Sequence, residues 1–410
     1  MTAHQTPSPG QTPSRSPSRS ASPSAGAAAP ATAVVDVGAI SANVRALRDR
    51  APGAALMAVV KADGYGHGLL PSARAAQAGG ADWLGVALQS EAIALRDNGI
   101  TGPLLTWLHV PGTDFGAALT RDIDVSASAT WAIEEISAAA RTTGRVARVH
   151  LKVDTGLGRN GAFGTDFTDL VAAARRLEAE GVVRVVGIWS HLIAADEPAS
   201  PTVRAQQDVF EAAVAQAERV GCRPEVRHLA NSAATLCSPS AHYDLVRPGI
   251  AVYGLTPVPQ VGGAADFGLT PAMTLTARLA NVKRVPAGQG VSYSHRYTTP
   301  TETVLGLVPL GYADGIPRNA TNVGPVRAQG RRHTIAGRVC MDQFVLDLGP
   351  DSTARPGDEV VLFGPDPAGP SVQDWADATG TISYEIVARI GPRVPRTITR
   401  DPSIRRDDAS

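Results

Sequence analysis

The sequence predicts an α/β protein in which a parallel (β/α)8 barrel of the TIM type is followed by a mainly antiparallel β domain. Eight short apolar runs alternate with helical patterns over roughly 220 residues, and glycine follows several of these helical patterns, where helices commonly stop. After about residue 265, apolar and polar residues alternate instead, and turn residues separate the runs. A doubly wound open sheet is the competing architecture for the first part of the chain.

The first part of the chain supplies the strands and helices of the predicted barrel. Asp36 can cap a helix that carries Ile40, Val44 and Leu47 on one face. The main helical patterns that end before a glycine cover residues 90–98, 130–142, 166–180 and 201–220. The predicted strands lie at about 56–60, 84–87, 103–107, 123–126, 147–153, 185–190, 225–229 and 243–246.

The second part reads as short strands, followed by two helical patterns at residues 371–379 and 383–390. Its alternating runs lie at 273–285, 304–310, 333–339, 344–348 and 359–363. We therefore expect the barrel over residues 33–262 and the β domain over residues 263–400. Residues 1–32, rich in Pro, Ser and Ala, and residues 401–410 are predicted to be disordered tails, because they cannot bury enough apolar surface to offset the entropy of ordering.

Composition and charge exclude several classes of protein. The 410 residues carry a formal net charge of zero and no basic stripe, which argues against nucleic acid or an anionic membrane as the main partner. Three cysteines are too few and wrongly spaced for a disulfide framework or a zinc site. Neither a secretory signal nor an apolar run of membrane length is evident, so we expect a cytoplasmic protein.

A lysine follows the first predicted strand directly, in the run VVKADGYGHG at residues 59–68. The strand before Lys61 is apolar, and such surroundings disfavour the charged form of a lysine. The Lys61 amine can therefore lose its proton readily and attack a carbonyl. The glycines beside it let the backbone approach a bound cofactor closely. A lysine that forms a Schiff base with pyridoxal 5'-phosphate (PLP) needs both properties. Taken alone, the run is better explained as the polar cap of a strand and a tight turn; the rest of the chain reverses that preference.

Polar side chains collect at the carboxyl ends of five predicted strands, where a barrel places its chemistry. They include those of Lys61, Lys152, Arg159, His191, Asn231, Ser232 and Arg247, and Gly249 follows the last of them. The segments after strands seven and eight often bind phosphate in barrels, and here they read Asn-Ser at the start of a helical pattern and Arg-Pro-Gly-Ile at 247–250. Each is also compatible with a simple helix cap or turn.

A tyrosine beside a glycine interrupts an apolar strand of the second domain. Tyr312 is a candidate acid or base if its surroundings lower its pKa from about 10. Asp314 and Gly315, which follow it, read better as a turn.

Eight motifs in order resemble those of the alanine racemases, PLP enzymes of the fold-type III group. They cover about residues 33–397 and read VVKADGYGHG, HLKVDTGLGRNG, SHLIAADE, HLANSAA, VRPGIAVYG, VPLGYADGIPR, GRVCMDQ and SYEIVARIGPRVPR. The second domain separates this pattern from single-domain PLP-binding relatives. Asp63-Gly64 stands where Asn-Ala is commoner, and Leu157 replaces a common Met; neither change removes a reactive group.

The resemblance implies a homodimer with shared active sites and a role for each motif residue. Lys61 would hold PLP and act as acid and base on one face of alanine, and Tyr312 of the partner subunit would act on the other. The cofactor-binding residues would be Lys61, Tyr65, Arg159, His191, Asn231, Ser232, Arg247, Gly249, Ile250 and Tyr384. The substrate-binding residues would be Arg159, Met341 and Asp342, and Lys152 matches a lysine that is often carbamylated.

The resemblance also implies the reaction. It would be interconversion of L- and D-alanine by a two-base PLP mechanism, supplying D-alanine for peptidoglycan. Arg247 would face the pyridine nitrogen and keep its own proton, so that this nitrogen would stay unprotonated and side reactions such as transamination would be limited. The alternatives are a broader racemase acting on serine, lysine or other side chains, and a non-catalytic PLP-binding protein. A second base at Tyr312 argues against the latter.

Overall fold

The computed structural model describes residues 29–197 and 199–399. Most of the predicted N-terminal tail and all of the predicted C-terminal tail therefore lie outside the described residues. The predicted N-terminal boundary at residue 32 was wrong, because Ala31 and Thr32 already belong to a strand, β1 (Ala31–Asp36). Alternate residues of β1 are buried, which is the pattern of a strand with one face on a core.

The elements of the first part follow one another in the order that the sequence predicts. After β1 come α1 (Val37–Arg50), β2 (Ala55–Val59), α2 (Lys61–Tyr65), α3 (Leu69–Ala78), β3 (Trp83–Val86), α4 (Gln89–Asp97), β4 (Leu104–Thr106), α5 (Phe115–Leu119), β5 (Asp124–Ala127), α6 (Thr130–Thr143), β6 (Ala147–Lys152), α7 (Thr165–Ala179), β7 (Val183–Trp189), α8 (Thr202–Arg219), β8 (Val226–His228), α9 (Ser232–Cys237) and β9 (Leu245–Val246).

Within the described residues, eight parallel strands form a barrel in the order β8-β7-β6-β5-β4-β3-β2-β9. Two backbone hydrogen bonds join its ends: Asp244 N donates to Arg227 O (3.1 Å) and Arg247 N donates to Ala230 O (2.9 Å). The predicted barrel is confirmed, and the open sheet is not the architecture of this protein.

The helix before the first barrel strand shows how local sequence sets these elements. The Asp36 carboxylate accepts a hydrogen bond from Ala39 N (3.0 Å), which caps α1 as predicted. Ile40, Val44 and Leu47 are fully buried against the barrel, so the helical periodicity identified the packed face correctly.

The second part consists mainly of short strands. They are β10 (Met273–Arg278), β11 (Asn281–Val285), β12 (Gly290–Val291), β13 (Tyr297–Thr298), β14 (Thr303–Val308), β15 (Pro325–Ala328), β16 (Arg331–Thr334), β17 (Phe344–Asp347), β18 (Glu359–Phe363) and β19 (Arg396–Thr399), with α10 (Val372–Thr379) and α11 (Ser383–Ala388) before β19. They form a six-stranded sheet, β16-β15-β18-β10-β1-β19, and smaller sheets β11-β14-β17 and β12-β13. Apart from the parallel pair β1–β19, the ladders described in these sheets are antiparallel, as predicted.

Two features of the second part differ from the prediction. Residues 33–36, predicted for the barrel, pair with β10 and β19 in the six-stranded sheet, which only a contact distant in sequence can decide. The predicted run 273–285 is two strands in different sheets, because the chain leaves the ladder between β10 and β11. The division into domains at residues 262 and 263 stays a prediction. Among the described residues, no helix has both the length and the apolar character needed to cross a membrane.

Candidate active site

The segment after β2 forms a left-handed turn that presents Lys61 and Tyr65. Ala62, Asp63, Gly64 and Tyr65 all have positive φ, between 51° and 62°. For residues other than glycine this conformation costs about 1–2 kcal/mol each, so the surroundings must impose it. Glu91 accepts a hydrogen bond from Ala62 N (2.6 Å), and Asp63 accepts one from Leu69 N (2.7 Å). The turn is therefore held from both sides.

A cavity of about 380 Å³ lies at the carboxyl ends of the barrel strands. Lys152 and all ten predicted cofactor-binding residues line it: Lys61, Tyr65, Arg159, His191, Asn231, Ser232, Arg247, Gly249, Ile250 and Tyr384. The structure thus brings together residues from six separate segments of the chain. Parallel strands in a barrel end at one face, which explains why the residues at strand ends meet here, whereas Tyr384 comes from α11 in the second part of the chain.

The cavity carries an excess of positive charge. Four cationic side chains line it, namely those of Lys61, Lys152, Arg159 and Arg247, and the described lining residues include no carboxylate. Burial, followed by the charge of Arg159, lowers the pKa of the Lys61 amine. Burial, followed by Arg247 and Arg159, lowers the pKa of Lys152 to about 7. The site is therefore suited to an anionic ligand and holds amines that can react as neutral nucleophiles or bases.

Two tryptophans also line the cavity. The reasoning from strand ends missed them, because it considered only polar and small residues. Trp189 ends β7 and Trp107 follows β4. The Lys152 Nζ atom lies 3.6 Å from the centroid of the Trp189 ring, and the Arg247 Cζ atom lies 4.9 Å from it. Both cations therefore lie close enough to the Trp189 ring for a cation–π interaction. The position of both tryptophans at strand ends was the signal that could have identified them.

Arg247 is buried and held rigidly. Its Nη2 donates to Ser190 O (2.7 Å) and Leu229 O (3.2 Å), and its Nη1 lies 3.3 Å from His228 Nδ1. His191 lines the cavity, but His228 and the two carbonyls are the groups hydrogen-bonded to Arg247. Burial, followed by the charge of Arg247, holds the pKa of His191 well below its usual range, so His191 is neutral near pH 7.

Tyr65, Ser232 and Gly249 form a small polar cradle in the lining of the cavity. Ser232 Oγ accepts hydrogen bonds from Gly249 N (2.7 Å) and Ala251 N (3.3 Å). A Cβ atom at Gly249 would lie 2.2 Å from the hydroxyl oxygen of Tyr65, so only glycine fits beside this tyrosine. Asn231 caps α9 by accepting from Ala234 N (3.1 Å), so the helix-cap interpretation holds for it as well.

Tyr312, Met341 and Asp342, which we call the Tyr312 patch, do not line the cavity of their own chain. Tyr312 N donates to Cys340 O and Ala313 N donates to Met341 O, both at 3.0 Å, so the two segments form one surface. Tyr312 is 43% exposed and Met341 is 53% exposed. Arg393 bridges Asp314 and Asp342, at 3.1 and 2.7 Å. The patch is ordered by its own contacts and faces outward.

Within the described residues, no group of three or more His, Cys, Asp or Glu side chains is arranged to hold a metal ion. The features that stand out at the cavity are instead its cationic side chains, the aromatic face of Trp189 and the polar cradle.

Comparison with known proteins identifies the family of this chain. Residues 35–257 match the family description "Alanine racemase, N-terminal domain", and residues 272–398 match "Alanine racemase, C-terminal domain". The chain is 62% identical over 365 residues to an alanine racemase of Frankia casuarinae, covering 89% of this chain and 95% of that protein. Among solved structures, it is similar to the alanine racemase of Streptomyces lavendulae, with a TM-score of 0.90, 55% identity, and coverage of 92% of this chain and 98% of the other. The alanine racemase of Streptomyces coelicolor A3(2) gives a TM-score of 0.89 with 59% identity, and the match covers 90% of this chain and 98% of that one. Both halves of the fold and the cavity between them thus agree with one assignment: the chain belongs to the alanine racemase family.

Proposed function

We propose that this protein interconverts L- and D-alanine with PLP as cofactor, using Lys61 of one subunit and Tyr312 of the partner subunit as its two bases. The observation that carries this proposal is the cavity itself, in which four cationic groups converge and two of them are lysines with lowered pKa. An anionic cofactor with an aldehyde and a substrate with a carboxylate match that set of groups.

The lining residues fit the parts of PLP. The cradle around Tyr65, Ser232 and Gly249, with Ile250 and Tyr384 beside it, suits the phosphate, because it offers hydroxyl groups and because the lack of a side chain at Gly249 leaves room beside Tyr65. Arg247, which also lines the cavity, would donate to the pyridine nitrogen, while His191 and Asn231 would contact the cofactor. Bound PLP would supply an electron sink that lowers the barrier to removing the α-proton.

Lys61 would act as acid and base on one face of the substrate, and Arg159 would bind the substrate carboxylate. Burial favours the neutral form of the Lys61 amine, so it can hold the cofactor and then take or return the α-proton. Arg159 lines the same cavity and would pair with the substrate carboxylate. Racemisation then needs a second acid or base on the opposite face, since one group cannot reach both.

The second base would come from the partner subunit of a homodimer. Exposed apolar side chains ring the barrel mouth, in loops that follow strands β4, β6 and β7: Leu108, Val110, Phe163 and Ile193 are between 43% and 68% exposed. A rim of this kind is typical of a surface that a partner covers. The Tyr312 patch is exposed as well, so placing Tyr312, Met341 and Asp342 of one subunit over the mouth of the other would complete both sites.

Arg247 would also limit the reaction to racemisation. Although burial lowers its pKa, a guanidinium facing two carbonyl oxygens and a neutral imidazole keeps its proton near neutral pH. The pyridine nitrogen would therefore stay unprotonated, which disfavours full delocalisation of negative charge into the ring. Transamination should accordingly be slow.

Lys152 is a candidate for carbamylation, because its pKa of about 7 leaves much of the amine neutral and able to react with carbon dioxide. A negative carbamate there would offset the neighbouring cations and orient Arg159. We expect a carbamate signal in the carbon-13 NMR spectrum of holoenzyme equilibrated with labelled bicarbonate at about pH 8, and a weaker one at about pH 6, since protonation removes the nucleophile. The signal should be absent from Lys152→Gln and present in Lys283→Ala; the reverse would contradict the assignment.

The reaction itself is tested by following L-alanine in heavy water with PLP-loaded enzyme. We expect deuterium at the α-position together with formation of D-alanine, because proton removal and return occur on opposite faces. Comparable turnover of serine or lysine would favour the broader racemase instead. Absence of α-exchange on every amino acid tested, despite bound PLP, would favour a PLP-binding protein. A cytoplasmic location and the supply of D-alanine to peptidoglycan stay predictions.

A further inference from the structure

A line of hydrogen bonds runs through the interior of the barrel from Arg247 to the opposite end. His228 Nδ1 lies 3.3 Å from Arg247 Nη1, and His228 Nε2 lies 2.9 Å from His150 Nδ1. His150 Nε2 in turn lies 3.3 Å from Asp124 Oδ2, and Arg148 Nε donates to Asp124 Oδ1 at 2.9 Å. The first four of these residues are buried, and Arg148 lies at the edge with its side chain 35% exposed.

The donor and acceptor of each hydrogen bond in this line can be assigned, because one end can only donate and the other end can only accept. Arg247 can only donate, so His228 Nδ1 must accept and the proton of His228 must sit on Nε2. That Nε2–H donates to His150 Nδ1, so the proton of His150 also sits on Nε2 and is donated to the Asp124 carboxylate. The pattern assigns one proton to each imidazole. Burial and the charge of Arg247 hold the pKa of His228 well below its usual range, which agrees with a neutral ring.

Both imidazole rings are packed closely against neighbouring groups. Trp189 stacks on His228 at 5.5 Å with an interplanar angle of 3°, and Trp83 meets His150 edge-on at 5.4 Å. A Cβ atom at Gly187 would lie 2.4 Å from His150 Nδ1 and 3.0 Å from His228 Nε2. This packing favours a shift of protons over a rotation of either ring.

We propose that Asp124 and His150 are positioning residues for Arg247, acting through His228. The Asp124 carboxylate accepts a hydrogen bond from His150 and so stabilises the tautomer of His150 with its proton on Nε2. His150 Nδ1 can then accept from His228 Nε2–H, which leaves His228 Nδ1 as an acceptor for the guanidinium. Without that carboxylate, His150 either leaves a buried N–H unpaired or moves its proton to Nδ1. A proton on His150 Nδ1 reverses the direction of the hydrogen bond between the two imidazoles and moves the proton of His228 to Nδ1. That N–H then faces an N–H of Arg247, and the two donors cannot pair. The consequence for racemisation rests on the proposed role of Arg247 at the pyridine ring; the tautomers themselves do not.

Three substitutions separate this role from a purely structural one. Asp124→Leu removes the acceptor. Asp124→Asn keeps an amide oxygen that accepts from His150 Nε2–H, and is expected to restore the line. Arg148→Gln removes the ion pair between Arg148 and Asp124 and leaves the contact between Asp124 and His150 intact. If the ion pair mattered only for stability, Arg148→Gln and Asp124→Leu would behave alike.

The test is nitrogen-15 NMR of histidine-labelled holoenzyme, in which long-range proton–nitrogen couplings report the tautomer of each ring. His228 and His150 are assigned with single His→Asn variants. We expect Nε2–H for both rings in the wild type, Asp124→Asn and Arg148→Gln, and a loss of that uniform pattern in Asp124→Leu. Racemisation by Asp124→Leu should fall about 10- to 100-fold, as expected when a group at the reacting centre is slightly misplaced.

The wild-type spectrum alone can overturn the proposal, even if Asp124→Leu does not fold. A proton on Nδ1 of either ring would contradict the proposed donors and acceptors of these hydrogen bonds. Equal kinetic losses in Arg148→Gln and Asp124→Leu would refute the positioning role. A holoenzyme that shows the Nε2–H pattern but does not racemise alanine would refute the proposed function and support this inference.

Discussion

Racemisation should disappear in the Lys61→Ala variant, with a loss of at least about 10⁴-fold, because the variant lacks both the covalent attachment for PLP and the base on one face of the substrate. The left-handed turn that carries Lys61 is held by Glu91, Asp63 and the close packing of Gly64, not by the lysine side chain. We therefore expect the variant to fold. Circular dichroism and thermal unfolding would check this alongside the rate.

The attachment site can be identified independently of activity. The chain has three lysines, Lys61, Lys152 and Lys283, so borohydride reduction of the PLP-loaded protein and peptide mapping distinguish them unambiguously. We expect the reduced adduct on Lys61. Lys283 is exposed on β11, and Lys283→Ala is the matched control that should keep full activity. Retained turnover by Lys61→Ala, or an adduct confined to Lys152, would contradict the assignment.

The Tyr312→Phe variant should racemise about 10²- to 10⁴-fold more slowly, because removing the hydroxyl removes the acid and base of the second face. PLP binding should change little, since the groups proposed to hold PLP line the cavity of the other subunit and the substitution removes only one hydroxyl. The measurement compares the rate with the PLP affinity, obtained by absorbance titration of the cofactor-depleted protein. Parallel losses of rate and affinity would indicate a structural role for Tyr312 instead.

Mixing the two inactive variants tests the shared site directly. In a hybrid of Lys61→Ala and Tyr312→Phe subunits, one of the two sites combines an intact Lys61 with an intact Tyr312 from the other subunit. If subunits assort at random after mixing, about a quarter of the wild-type activity should return. If Lys61 and Tyr312 acted within one chain, mixing would restore nothing. The same measurement made on either variant alone is the control.

The residues that could be predicted from sequence share one property: their position depends on local pattern. The alternation of apolar runs and capped helices identified all eight barrel strands within two residues of their observed bounds. Because a barrel collects the carboxyl ends of its strands at one face, that alternation also placed Lys61, Lys152, His191 and Arg247 together before any distance was known.

Residues whose role depends on contacts between distant segments could not be predicted in this way. Nothing near Ala31–Asp36 indicates that this strand inserts between β10 and β19 rather than joining the barrel. Likewise, His150 and Asp124 are ordinary members of two apolar strands in the sequence, and only the folded barrel brings them into one line with Arg247.

The sequence by itself determined the architecture and the reactive groups, because periodicity, caps and strand ends are encoded by neighbouring residues. Only the tertiary structure decided how those groups are tuned. Burial lowers the pKa of Lys61 and Lys152, the Trp189 ring lies close to both Lys152 and Arg247, and His228 lies within hydrogen-bond distance of the arginine. Solvent exclusion and hydrogen-bond direction arise only when segments far apart in the chain pack together, so no local pattern could reveal them.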